Sequence, residues 1–180
     1  MVTIVVGKGD KQKSFNLYKD VLTFHSTYFR NALKHEWVEG QSKIITLTED
    51  DPDVFQIFSY WLFSKRLYHP DPAIQASDLN DIPLTFRRIC EIYVLGDMRG
   101  IPELCNATLD LFFAKMMAQW VFPCDQLNHV YDNTPDKSPL RQLCLDDYVK
   151  WGSVESINAD TSSYPKDFLV DLIIAAKKEK

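Results

Sequence analysis

Cys124 and His129 are the two residues of this 180-residue chain closest to a nucleophile and its base. A thiol attacks when a base within hydrogen-bond reach takes its proton and a third group orients that base. The pair is five residues apart, an awkward angle for direct contact if the stretch is helical, and no third group is evident. Cys124 also ends the string Trp120-Val121-Phe122-Pro123-Cys124, which reads as packing. No catalytic residue is assigned, and the chain is expected not to be an enzyme.

Glu49, Asp50, Asp51 and Asp53 form a carboxylate cluster of the kind that attracts a hard cation. Calcium loops alternate their ligands and place a glycine at the sharp turn; this run does neither, and helix capping accounts for the same residues. Gly7-Lys8-Gly9-Asp10 lacks the Lys-Ser/Thr ending of a phosphate loop and lies in a hairpin turn. Cys90, Cys105, Cys124 and Cys144 are spaced too widely for a paired-thiol motif and read as reduced core cysteines. No metal and no cofactor is expected.

Bulk properties narrow the classes further. A formal charge of -5 and a pI near 5.3 repel phosphate backbones, so nucleic acid is not an expected partner. With 46% apolar and 13% aromatic residues the chain can bury a sizeable core. No apolar run reaches the roughly 20 residues that cross a bilayer, and the N-terminus has no signal-peptide pattern, so cytosol or nucleus is the expected compartment and no membrane is a partner.

The elements that must position any site are legible from spacing. Val2 to Val6 and Ser14 to Leu17 flank a glycine-containing turn and predict a hairpin. Val21, Leu22, Phe24, Tyr28, Phe29 and Leu33 predict two short helices with Ser26 capping the second, and Gly40 ends that segment. Ile44 to Leu47 predicts a third strand. Asp51-Pro52 then starts a helix with Val54, Phe55, Phe58, Trp61 and Leu62 facing inward. His69 to Pro83 predicts an exposed loop. Phe86, Ile89, Cys90, Tyr93 and Val94 mark the next helix, and Pro102 restarts one through Leu104, Thr108, Leu111, Phe112 and Met116. Beyond a polar turn from Val130 to Arg141, Ser138 as cap and Pro139 as first residue predict a helix carrying Leu140, Leu143, Cys144, Tyr148 and Trp151. Pro165 opens the last, with Phe168, Leu169, Leu172, Ile173 and Ala176 on its apolar side.

The order of these elements over residues 2 to 119, with Phe15 to Leu22, Ser26-Thr27-Tyr28-Phe29, Ile44 to Leu47 and Asp51-Pro52, resembles a BTB/POZ domain. The resemblance implies an α/β (α+β) fold, a small mixed sheet flanked by helical hairpins, with a BTB/POZ core over 1–119. The stretch from Tyr131 onward resembles the helical C-terminal extension of fungal members, placed over 120–180. It further implies a protein–protein interaction module, either an adaptor for a cullin ubiquitin ligase or a self-associating, homo-oligomeric scaffold. Tyr18 stands where many members carry histidine. Many dimeric members also open with a helix and strand exchanged between subunits; this chain opens at the hairpin, which argues against that mode.

Substrate adaptors of the family carry a hydrophobic-x-Glu signature that contacts the cullin, and Trp37-Val38-Glu39 matches it. The resemblance makes Trp37, Val38 and Glu39 the candidate protein-binding residues. A Trp that folds over its own helix beside a solvated Glu39 is the competing reading.

Overall fold

Alternation in the β-branched run forms β1 (Val2–Val6), burying Val2, Ile4 and Val6 on one face. β2 (Lys13–Leu17) pairs with it antiparallel, Ile4 opposite Phe15, and β3 (Ile44–Leu47) pairs parallel, Ile4 opposite Ile45. The order β2-β1-β3 makes β1 the centre of a small mixed sheet, as the BTB/POZ resemblance implies. The structure is a computed structural model that describes residues 1–34, 42–69 and 82–178. The loop expected over His69 to Pro83 and the Gly40 stop fall largely or wholly outside the described residues.

Ser26 separates α1 (Lys19–His25) from α2 (Thr27–Ala32), and its hydroxyl accepts from the Phe29 amide at 3.1 Å, the expected cap. Asp51 caps α3 (Pro52–Ser64) by accepting from the amides of Asp53 at 2.7 Å and Val54 at 3.1 Å. All five residues expected to face inward from α3 are buried. α4 (Phe86–Met98) and α5 (Pro102–Gln119) follow, joined by a turn in which Gly100 takes φ 60°. The described residues group into two compact units, one within 1–73 and 91–108, the other within 74–90 and 109–180.

In the first unit, the α4–α5 turn receives the start of α2. The Arg99 carbonyl accepts from the Ser26 hydroxyl at 2.6 Å and the Tyr28 amide at 3.3 Å, and the Gly100 carbonyl accepts from the Thr27 amide at 3.2 Å. A Cβ on Gly100 would lie 2.0 Å from Thr27 Oγ1 and 3.3 Å from Thr27 Cβ. Gly100→Ala therefore meets a left-handed backbone and a blocked site together, and its unfolding free energy in urea is expected to fall by roughly 2 kcal/mol or more. An unchanged urea midpoint would show that the turn yields without cost.

The second unit holds α6 (Leu127–Asn133), α7 (Pro139–Trp151), α8 (Val154–Ala159) and α9 (Lys166–Lys178). Phe168 is fully buried at its centre, ringed by Tyr131, Tyr148 and Tyr164 with centroids 5.4 to 6.0 Å away. Several local expectations need correction here. Ser138 takes the N-cap position of α7, but its side chain makes no capping bond. Trp151 is 63% exposed because it is the last residue of α7, one turn beyond the buried Tyr148. On α9 the covered residues are Phe168, Leu169, Asp171, Leu172 and Ala175, so Phe168, Leu169 and Leu172 lie as expected while Ile173 and Ala176 face solvent. Trp120 and Val121, read as packing, are also exposed.

Candidate protein-binding surfaces

Trp37, Val38 and Glu39 lie outside the described residues, in the connection between α2 and β3. What the structure describes is the pair of anchors on either side. Phe29 and Leu33 are buried at the near end, and Ile45 and Leu47 at the far end. The near anchor is held by more than packing. Tyr28 lies under the Arg99 guanidinium, 4.5 Å from its ring centre, and Arg99 in turn pairs with Asp50. Both members of that pair are nearly buried, so each needs the other.

The carboxylate run does not converge. Glu49 pairs with Lys8 across the hairpin turn, Asp50 with Arg99, Asp51 caps α3, and Asp53 meets Lys13 at 2.7 Å. Lys8 holds the Glu49 carboxyl below its usual range. Capping accounts for Asp51 as expected; the three lateral ion pairs have no signal in the local sequence, because their partners lie 40 or more residues away. Among the described residues no three His, Cys, Asp or Glu side chains are grouped to hold a metal.

One constellation with the composition of acid–base machinery did escape the sequence reading. His25 Nε2 lies 2.7 Å from Lys65 Nζ, and Nδ1 lies 2.8 Å from Glu103 Oε2. An ammonium only donates, so Nε2 is the acceptor and the proton sits on Nδ1, facing the carboxylate off the line of a good hydrogen bond. The lone pair a general base would use is thereby occupied. Lys65, itself in a left-handed C-cap at φ 58°, also rests 4.2 Å from the Trp61 ring. Burial lowers its pKa, and Glu103 opposes that. The arrangement ties the end of α3 to α1 and α5.

Cys124 and His129 are placed on different elements. Cys124 opens a 3-10 turn over Cys124–Gln126, while His129 lies within α6, its Nδ1 3.1 Å from Asn133 Nδ2. The cysteines that do show a shifted acidity are poor nucleophiles: burial and the Asp97 charge push Cys105 up to about 12, and burial pushes Cys144 up as well.

Three aromatic side chains of the first unit face solvent instead: Tyr18 at 58%, Phe63 at 57% and Phe24 at 72%. Tyr18 stands edge-on to Phe63 with centroids 6.3 Å apart, and Phe24 edge-on to His25 at 4.8 Å. Aromatics presented together on a surface are the usual material of protein–protein contacts. Among the described residues no helix is long and apolar enough to cross a membrane. Residues 2–82 match the family model of the BTB/POZ domain. Comparison with curated proteins returned no match.

Proposed function

We propose that this chain, whose residues 2–82 match the BTB/POZ domain, is a non-enzymatic adaptor presenting a partner to a cullin scaffold through Trp37, Val38 and Glu39. Residues 1–119 serve in this reading as the interaction core and 120–180 as its helical extension. The observation that carries it is the placement of a large aromatic in a polar connection, Glu36 to Ser42, between anchors that are themselves buried. A Trp so placed supplies contact area at low entropy cost, and Glu39 meets a basic rim.

Trp37→Ala is expected to leave the melting temperature nearly unchanged while weakening binding to a cullin N-terminal region by about 2 kcal/mol or more. Glu39→Ala should do less. Calorimetry on both variants checks this. Loss of stability and binding together would put Trp37 in the domain's own core and remove the residue-level support.

The exposed Tyr18, Phe63 and Phe24 favour a second reading, a self-associating scaffold with no cullin contact. Sedimentation of the protein alone separates the two. A concentration-dependent oligomer that ignores the cullin region supports the scaffold, and a monomer that binds it supports the adaptor.

A further inference from the structure

The most exposed large apolar side chain among the described residues is Trp120, at 82%. It occupies the residue just after α5, at φ 50°. Val121 N–H reaches back to the Met116 carbonyl at 3.4 Å, the closure that helices ordinarily make with glycine at this position. A tryptophan there adopts a left-handed backbone that disfavours any Cβ, and it gains little packing in return. Its backbone strain is therefore not repaid by packing within its own domain.

Trp120 lines a cleft of about 280 Å³ together with Phe122, Asp147, Tyr148, Trp151 and Met117. The aromatic wall is braced. Tyr148 donates to the Ser153 carbonyl at 2.7 Å, its oxygen lies 2.8 Å from Ser156 Oγ, and its ring takes Phe122 edge-on at 5.1 Å. Gly152 makes room for this ring, since a Cβ there would fall 2.5 Å from it. Two further features define what the cleft attracts. Asp147 brings a carboxylate into it, raised in pKa by burial and pulled back by Lys150. The Lys150 ammonium already rests 5.0 Å from the centre of the Trp151 ring.

We propose that this cleft docks a lysine side chain of a protein partner, its ammonium held by the indole faces of Trp120 and Trp151 and the carboxylate of Asp147. Indole is the best of the protein rings for a cation, and the attraction grows as water is excluded. The methylene stem suits Met117 and Phe122, as the stems of basic residues bury on apolar surface while the charge does not. Charge complementarity selects the occupant: Asp147 opposes an anion, and an uncharged side chain forgoes both the carboxylate and the rings. The volume fits one side chain, below the range of clefts that hold whole cofactors. None of this depends on Trp37 or on a cullin.

The test uses the full chain and two fluorescein-labelled peptides, Ser-Leu-Lys-Leu-Ser and its Lys→norleucine counterpart, read by fluorescence polarisation. The lysine peptide is expected to bind at least tenfold more tightly. Trp120→Gly should weaken it at least tenfold while raising the melting temperature, because glycine relieves the left-handed backbone. Asp147→Asn should narrow the gap between the two peptides without closing it, because the rings still favour the cation. Equal binding of both peptides by the unmodified chain, or no binding of either, overturns the proposal. A Trp120→Gly variant that melts lower does so too, since the indole would then belong to the domain's own packing.

Discussion

Phe58→Ala is expected to remove about 3–5 kcal/mol of unfolding free energy, and Phe29→Ala a similar amount. Both rings are fully buried in the first unit. They stack with centroids 6.3 Å apart and planes 6° from parallel. Phe58 also meets Phe55 edge-on at 5.2 Å and Trp61 at 6.5 Å, so its removal leaves a cavity with aromatic walls on three sides. Rigid rings on a helix fixed by the Asp51 cap cannot collapse far into that space, which puts the cost at the upper part of the range. The loss is a large share of what a domain of this size possesses. Because the two rings touch, the double variant should not equal the sum of the singles. Urea denaturation of the three variants gives the result, and midpoints like the parent's would mean that the helix register of α2 or α3 is misassigned.

Arg141→Met is expected to cost about as much, roughly 3–5 kcal/mol, in the second unit. Arg141 is only 8% exposed, and its guanidinium binds across the connection between α6 and α7. Nε donates to Thr134 Oγ1 at 3.0 Å, and Nη2 donates to the Tyr131 carbonyl at 2.6 Å and to the Thr134 carbonyl. These are carbonyls that α6 leaves without helical partners at its C-terminal end. The guanidinium carbon lies over the Tyr131 ring, 4.4 Å from its centre. Nη1 also reaches Asp136 at 3.0 Å, but that carboxylate is 94% exposed, so Asp136→Ala should cost no more than about 1 kcal/mol. Arg141→Lys should recover little, because one ammonium cannot span the same acceptors. Thermal melts rank the three variants. A lysine variant as stable as the parent would show that the carbonyls are satisfied in some other way.

The two sites were not equally legible. Phe29 and Phe58 announce themselves, because each repeats at helical spacing with other apolar residues, and burial follows from the stripe. Arg141 lies at the end of a polar turn, and an arginine between Leu140 and Gln142 looks solvated until the fold surrounds it. Ser26 shows both behaviours in one residue. Its capping of α2 is a local bond and was predicted, whereas its donation to the Arg99 carbonyl joins residues 73 positions apart and was not. The candidate Trp37, Val38 and Glu39 rest on position and family pattern alone, since they fall outside the described residues.

What this sequence determines by itself is what short-range physics decides: the strand alternation of Val2 to Val6, the caps at Ser26 and Asp51, the inward face of α3, and through their order the match of residues 2–82 to the BTB/POZ domain. Each follows from bonds and faces set within a few residues, where types and spacing carry the energy. The tertiary structure alone decided that Asp50 meets Arg99, that Lys65 fills the lone pair of His25, that Arg141 is inside and that Trp120 and Trp151 are outside. Those outcomes depend on which surfaces of distant segments exclude water together. A charged side chain is buried only where the fold supplies acceptors, and an aromatic stays exposed only where the fold offers nothing to cover it.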